Sequence, residues 1–376
     1  MQLDKSCDTK LSQKVFLLHL GQAAACCRST PIDLETSRNI EFYLEHWEQE
    51  HQQLQQGVEI GSCEYCWKKE RLGLISERQK QQERDKVIEI YFNNVCNHMC
   101  SYCSPKFSSV WQESIDKHGT FVNVSKSVKN NQIFTKDTLT STDHWIEQLS
   151  KYISHQEDNS VALRLLGGEP LMQKKSLQKF LKLTSKKVKK IIITTNLNPP
   201  SNRFLSWILD AFPLEKLQFN VSLDATVEYN SIPRAGFDPK RFETNLALLQ
   251  KKQVEFSFAS VVSVLSVFDI NNFCQWLDKN QFNTIFSRIN NPDCLSLDCV
   301  PMTFKQKILN TLHNLPESVK IIMHNPQEPT LLKLFEQYHY LKQYFARTNI
   351  DPTKISNPLW TEYWHWLNDL QKQKIS

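Results

Sequence analysis

The sequence predicts an α/β fold built on a parallel sheet, and two observations support this. Short apolar, β-rich runs alternate with amphipathic stretches of helical period through the middle of the chain. Polar and cysteine-containing segments follow directly after several of these runs, where parallel α/β folds carry their chemistry. Alternation of this kind is typical of strands joined by crossover helices. Six strand candidates are too few to close an eight-stranded barrel, so we expect an open, partial barrel.

The predicted elements divide the chain into three units. The strand candidates share β-branched and aromatic content and lie at 87–92, 161–166, 190–195, 217–222, 254–262 and 284–289. Amphipathic helices are expected at 39–56, 176–188, 241–252, 305–315, 330–345 and 358–371. Residues 104–137 show no clear period and are expected to form an insertion over the site. We therefore predict a cysteine-rich unit at 1–86, a barrel at 87–300 and a helical extension at 301–376.

Composition excludes several classes of protein. The chain has 376 residues, 40% of them hydrophobic and 23% charged, with a net charge of +5. These values are ordinary for a globular protein, and so mild a basic excess makes a nucleic-acid partner unlikely. No apolar run is long enough to span a membrane, and the first residues lack a signal-peptide core, so we expect a cytoplasmic location. Clustered cysteines in a reducing compartment indicate metal or redox ligands rather than disulfides.

Three cysteines lie in one short loop after the first predicted strand. The stretch "FNNVCNHMCSYCSP" carries Cys96, Cys100 and Cys103 with the spacing C-x3-C-x2-C. Three thiolates can hold three irons of a cubane [4Fe–4S] cluster and leave the fourth iron open to another ligand. The alternatives are a structural zinc site completed by His98 and, less favoured, three unrelated core thiols.

The loop "CNHMCSYC", together with "GGEP" after the second predicted strand, resembles the radical S-adenosylmethionine (radical SAM) superfamily over residues 87–300. The resemblance implies a partial (β/α)6 TIM-like barrel, a catalytic [4Fe–4S] cluster and S-adenosylmethionine chelated at the open iron. It also implies reductive cleavage to a 5′-deoxyadenosyl radical that abstracts hydrogen from a substrate. An external one-electron donor such as flavodoxin or ferredoxin would then be needed.

The same resemblance assigns candidate cofactor-binding residues at four strand ends: Tyr102, Gly167, Gly168, Glu169, Pro170, Asn196, Ser222, Asp224 and Arg234. Glycines permit close approach of a ligand, Glu169 offers an acceptor to an ammonium group, and Arg234 suits a carboxylate. The family often has glycine after Asn196, where this chain reads "TTNLN". Ordinary alternatives exist: a strand-to-helix turn for "GGEP", turn capping for Asp224 and a surface position for Arg234.

Five further cysteines precede the barrel: Cys7, Cys26, Cys27, Cys63 and Cys66. They resemble the auxiliary-cluster (SPASM or twitch-like) modules of radical SAM enzymes, although here they lie before the barrel. One of the adjacent pair Cys26 and Cys27 is expected to be spare, which leaves four ligands for a second [4Fe–4S] cluster. Structural zinc and unligated thiols are the alternatives.

The remaining candidates have simpler interpretations. Cys274, Cys294 and Cys299 are expected to be small buried hydrophobic residues, with a substrate-facing or third-cluster role for Cys294 or Cys299 as the alternative. The resemblance favours a peptide or protein side chain as substrate. Alternatives are a small metabolite, a non-enzymatic iron–sulfur or zinc protein, and a relative that has lost activity.

Overall fold

The computed structural model describes residues 7–73, 75–79, 86–134, 142–289, 291–311, 316–323 and 327–372. Its strands, in chain order, are β1 (Gln13–Leu17), β2 (Gln22–Ala24), β3 (Ile32–Asp33), β4 (Lys86–Tyr91), β5 (Met99–Cys100), β6 (Val161–Leu166), β7 (Lys190–Thr195), β8 (Leu217–Ser222), β9 (Arg234–Ala235), β10 (Glu255–Val262) and β11 (Thr284–Arg288). Its helices are α1 (Asp8–Ser12), α2 (Ile40–Gln55), α3 (Glu64–Arg71), α4 (Ser109–His118), α5 (Lys126–Asn131), α6 (Thr142–Ser154), α7 (Lys174–Thr184), α8 (Arg203–Ala211), α9 (Pro239–Lys251), α10 (Ile270–Lys279), α11 (Met302–Asn310), α12 (Glu317–Met323), α13 (Leu331–Thr348) and α14 (Pro358–Lys372).

The central sheet contains the six predicted strands as parallel neighbours in the order β4-β6-β7-β8-β10-β11. Each begins and ends within one residue of its prediction. Alternate side chains, such as Leu163 and Leu165 of β6, are fully buried because period-two alternation sends them to one face of the sheet. The predicted partial barrel is confirmed.

The chain before residue 87 extends this sheet. Strand β1 pairs in parallel with β4, and β2 and β3 continue the sheet antiparallel beyond it. These backbone hydrogen bonds cross the predicted boundary at residue 86. The division of the chain into units at 1–86, 87–300 and 301–376 stays a prediction.

The segment after the cysteine loop is more ordered than its sequence indicated. It contains α4 and α5, whose first turns are capped by the side chains of Ser108 and Ser125. Trp111 is fully buried, and its ring lies 5.7 Å from that of Phe121. A few large aromatic side chains anchor this segment, which explains why no periodic pattern revealed it. Residues 135–137 lie outside the described residues.

The C-terminal helices pack on the barrel and brace the cysteine loop. From α13, the Tyr340 hydroxyl donates to the carbonyl of Ser101 at 2.6 Å, and the Tyr344 hydroxyl donates to the carbonyl of Ile232 at 3.0 Å. Trp360 and Trp364 of α14 are buried and stack with their rings 5.8 Å apart. None of the helices in the described part of the chain combines the length and apolar character needed to cross a membrane.

Candidate active site at the strand ends

The cysteine loop leaves β4 and is fixed by backbone pairing. Within it, β5 pairs antiparallel with β9, and the Ser101 N–H donates to the carbonyl of Pro233 at 2.8 Å. The backbone N–H of His98 points at the Cys96 sulfur, 3.4 Å away. Regular backbone hydrogen bonds therefore hold the three-thiol loop in one conformation.

Three glycines allow other segments to approach this loop. A Cβ on Gly168 would lie 2.1 Å from the Val95 carbonyl oxygen, and one on Gly167, at φ +120°, would lie 2.7 Å from that of Asn93. Gly236, at φ +96°, faces a third loop carbonyl in the same way, 2.5 Å from a Cβ position. The glycines of "GGEP" are expected to permit close approach of a ligand, but the backbone of the cysteine loop occupies part of that space. Gly236 was missed, although its left-handed φ is a conformation that glycine favours.

A cavity of 480 Å³ opens above the carboxyl ends of the six barrel strands. Ten of the predicted site residues line it: Cys96, Cys100, Tyr102, Cys103, Gly167, Gly168, Glu169, Asn196, Ser222 and Arg234. Pro170 and Asp224 do not. The lining also includes residues that sequence reasoning missed: Phe107 and Asn131 from the insertion, Ser260 from β10, and Ser287 and Asn291 from the last strand and the loop after it. Ser260, Ser287 and Asn291 lie at or near the carboxyl ends of β10 and β11, and the position of these strand ends could have identified them.

The three loop thiols are fully or partly buried. Cys100 is buried and the other two are half-buried. Burial raises the pKa of all three thiols, that of Cys103 to about 12, so each would keep its proton unless a cation displaced it. Among the described residues, no three His, Cys, Asp or Glu side chains converge closely enough to hold a single metal ion. In a cubane cluster each thiolate binds a different iron, so its ligands need not converge on one atom.

Glu169 links two strand ends beneath the cavity. Its carboxylate accepts from the Thr195 hydroxyl at 2.6 Å and from the backbone N–H groups of Asn196 at 2.7 Å and Leu171 at 2.9 Å. Burial raises the pKa of Glu169 to about 7, although these hydrogen bonds act to lower it. A carboxyl group that titrates near neutrality is therefore held at the cavity wall.

Arg234 is buried, which rules out a surface position. Its guanidinium binds both oxygens of Asp224, at 2.8 Å and 3.2 Å, and lies 3.7 Å from the Cys100 sulfur. The Tyr102 hydroxyl and the Val261 N–H also donate to Asp224. The Asp224 carboxylate is thus hydrogen-bonded within the protein, whereas the family resemblance predicts that it contacts ribose. The carboxylate that Arg234 binds is that of Asp224.

The backbone after Asn196 adopts the conformation for which glycine is favoured. Leu197 has φ +53°, in the left-handed region, and its side chain is fully buried. Asn196 is fixed by a hydrogen bond from its Nδ2 to the Asn97 side chain of the cysteine loop at 3.0 Å. Leu197 therefore occupies a backbone conformation that glycine adopts more readily.

His98 is buried below the loop and packs edge-on against Phe237 at 6.0 Å. Its Nε2 lies 3.4 Å from the Asn198 side-chain oxygen, and its Nδ1 has no hydrogen-bond partner in the part of the chain that the structure describes. Burial, reinforced by Arg234, lowers the pKa of His98 to about 3. The side chain is therefore a neutral imidazole in a packed position.

The N-terminal cysteines form a second group, away from the cavity. Cys7, Cys26, Cys63 and Cys66 are buried, and burial together with the other three thiols raises the pKa of Cys7 to about 11. Leu54, Ile60 and Trp67 complete an apolar cluster with Cys7 and Cys63. Cys27 is exposed. The structure thus brings four of the five cysteines together and leaves out Cys27.

The last three cysteines are buried: Cys274, Cys294 and Cys299. Cys274 and Cys294 belong to the main apolar core, and the Cys299 sulfur contacts the carbonyl oxygen of Asp293 at 3.3 Å. None of the three lines the cavity.

Three solved structures illustrate the similarity to known proteins. Native anSMEcpe with bound AdoMet is 16% identical over 70% of this chain and 61% of that chain, with a TM-score of 0.41. Native anSMEcpe with bound AdoMet and Kp18Cys peptide is 14% identical over 69% and 59%, with a TM-score of 0.41. Streptococcus suis SuiB bound to precursor peptide SuiA is 13% identical over 92% and 70%, with a TM-score of 0.37. The chain thus spans about three fifths of the length of anSMEcpe.

No curated protein matches the sequence. The profile of the Radical SAM superfamily matches residues 90–277, which is half of the chain and contains the cysteine loop, the glycine pair and five of the six strand ends that form the cavity. The chain therefore belongs to the radical SAM superfamily of enzymes.

Proposed function

We propose that this enzyme binds a [4Fe–4S] cluster through Cys96, Cys100 and Cys103, and binds S-adenosylmethionine in the adjacent cavity. The observation that carries this proposal is the convergence of all three loop thiols with Gly167, Gly168 and the other strand ends on one cavity of 480 Å³. When bound, this pair supplies a one-electron cleavage of the sulfonium that yields the 5′-deoxyadenosyl radical.

Polar groups of the cavity support the fit. The Ser260 hydroxyl and His98 Nδ1 belong to cavity-lining residues, are buried and have no hydrogen-bond partner among the described residues. Such groups are costly unless a ligand satisfies them. Glu169 offers an acceptor for the ammonium of the cofactor, and Asn196 and Ser222 offer polar contacts for ribose. Arg234 and Asp224 act one step further away, by holding Tyr102 against the loop.

The favoured substrate is a peptide or protein side chain. In the described part of the chain, β11 pairs with β10 alone, and Ile285 on β11 is 66% exposed. Ser287 of the same strand lines the cavity. An extended peptide that added to this edge would form main-chain hydrogen bonds and carry one side chain to the cavity. A small metabolite would have no use for such an edge.

The second part of the proposal is an auxiliary [4Fe–4S] cluster bound by Cys7, Cys26, Cys63 and Cys66, with Cys27 as the spare thiol. Four buried thiols fill the coordination of such a cluster, so this site offers no open position. The apolar cluster around Cys7 and Cys63 would keep water from it. An external flavodoxin or ferredoxin is the proposed electron donor.

Anaerobic reconstitution tests these assignments. The wild-type chain should bind about eight irons and form 5′-deoxyadenosine with dithionite. C96A/C100A/C103A should keep about four irons and lose the product, whereas C63A/C66A should lose a similar amount of iron and still cleave S-adenosylmethionine. C27A, which removes the exposed thiol, is the control and should match wild type. Undiminished product from C96A/C100A/C103A would refute the catalytic assignment.

The substrate class needs its own experiment. Synthetic peptides encoded by short genes beside this one should increase 5′-deoxyadenosine formation and change mass in the product mixture. Stimulation by nucleosides or sugars, with no effect of any such peptide, would refute the peptide assignment.

A further inference from the structure

Lys10 is a buried cation in the N-terminal cysteine group. Its side chain has 0% exposure, although lysine is among the residues that are least often fully buried. Its Nζ forms an ion pair with Glu50 Oε2 at 2.5 Å and donates to the Ser62 hydroxyl at 3.1 Å. Burying such a pair costs free energy that two apolar side chains would not. Stability alone therefore does not explain why a Lys10–Glu50 pair lies here, and another role is expected.

The ammonium group faces the thiols. Lys10 Nζ lies 3.7 Å from the Cys63 sulfur, within the range of a hydrogen bond to sulfur. Its backbone N–H donates to the carbonyl of Cys7 at 3.0 Å. Lys10 thus contacts two of the four cysteines, one through its side chain and one through its backbone.

We propose that the Lys10–Glu50 pair sets the reduction potential of the cluster bound by Cys7, Cys26, Cys63 and Cys66. This inference rests on the auxiliary cluster proposed above. One-electron reduction adds negative charge to a cluster, and a buried cation with an N–H···S bond stabilises that charge. Lys10 therefore raises the potential, and Glu50, which pairs with the same ammonium, moderates the rise. Lys10 is a positioning residue, because it contacts a ligand sulfur and not the substrate.

The test measures the midpoint potential of the auxiliary cluster by EPR-monitored dye titration. The background is C96A/C100A/C103A, which removes the catalytic cluster, so the reading does not depend on activity. In this background K10M should change the ratio of reduced to oxidised cluster at least tenfold at a fixed potential, which is a lowering of about 59 mV for one electron. K10M/E50Q, which leaves no unpaired buried anion, should lower the potential by less.

K68M is the matched control, because it removes an equal charge from the exposed face of α3, where solvent and salt screen it. An unchanged potential in both Lys10 variants, or an equal shift in K68M, would overturn the inference and leave the cluster assignment intact. Loss of iron from both Lys10 variants would also overturn it, because the pair would then serve assembly. If the C96A/C100A/C103A background itself bound no iron, the proposed auxiliary cluster would fail instead.

Discussion

The two cysteine groups differ in where they lie and in how many cysteines they contain. Cys96, Cys100 and Cys103 lie within eight consecutive residues on a loop at the mouth of a cavity. The four N-terminal cysteines come from distant parts of the chain and are buried, two of them in an apolar cluster, and none is among the described residues that line this cavity. Three ligands at a cavity leave a metal centre open to a small molecule, whereas four buried ligands close it. In the proposed assignment, exposure and ligand count therefore distinguish a catalytic cluster from an auxiliary cluster that transfers electrons or stabilises the fold.

Each group also contains one buried cation next to a sulfur, and the two cations are paired differently. Arg234 binds both oxygens of Asp224, with Tyr102 on the same carboxylate. Lys10 binds Glu50 and a hydroxyl group. A bidentate guanidinium fixes geometry, while an ammonium acts as a compact charge. We expect the Arg234–Asp224 pair to fix the geometry of the cysteine loop, and the Lys10–Glu50 pair to set the reduction potential of the proposed auxiliary cluster.

The largest effect on stability should come from breaking the Arg234–Asp224 pair beside the cysteine loop. D224N leaves the buried Arg234 guanidinium without its anion, which should lower the free energy of unfolding by about 3–5 kcal/mol. Denaturant titration of the apoprotein measures this. D210N, which removes the anion of the exposed Lys252–Asp210 pair, is the control and should stay within about 0.5 kcal/mol of wild type. Equal losses in the two variants would contradict the structural role of the Arg234 pair.

A smaller effect should come from a steric clash that disturbs the cysteine loop and leaves the N-terminal cysteines unaffected. G168A places a methyl group 2.1 Å from the Val95 carbonyl oxygen, so the cysteine loop must shift. A displacement of this size near the chemistry should reduce 5′-deoxyadenosine formation by about 100-fold, while the N-terminal iron is retained. G61A, where nothing lies within 4 Å of the new methyl group, should behave as wild type. Normal activity in G168A would show that the loop is not held as described.

Binding of S-adenosylmethionine should depend on pH at the open site. With a pKa of about 7, Glu169 is protonated below neutrality and has to lose its proton to pair with an ammonium. Each unit of pH below 7 should therefore weaken binding by up to about tenfold, as measured by calorimetry on the reconstituted protein. E169Q should bind more weakly and lose this dependence. A flat profile in wild type would exclude Glu169 as the ammonium partner.

The smallest effect concerns Leu197. Both L197A and L197G lose its buried side chain, but glycine also relieves the left-handed backbone, so L197G should be more stable than L197A by about 1 kcal/mol. Leu205, equally buried but inside helix α8, provides the reversed control. There L205G should be less stable than L205A by about 1 kcal/mol. The same order at both positions would contradict the strained conformation.

Sequence reasoning reached the parts of the molecule that are encoded locally. Strand boundaries, the three-cysteine loop and the glycine pair depend on short patterns of period, spacing and backbone freedom. The engagement of Asp224 with Arg234, and of Lys10 with Glu50, depends on which side chains meet after folding, and no local pattern records this. The same reason hides the pairing of β1 with β4, because it joins residues 13–17 to residues 87–91.

That pairing has a consequence for the order in which the protein is made. All four proposed ligands of the N-terminal cluster precede residue 67, so they leave the ribosome before any residue of the cysteine loop. Strand β1 cannot complete its parallel pairing until β4 has been synthesised, since its partner residues are 87–91. The N-terminal thiols are therefore synthesised while β1 still lacks its β4 partner. In the proposed assignment, every ligand of the auxiliary cluster is thus available before any ligand of the catalytic cluster.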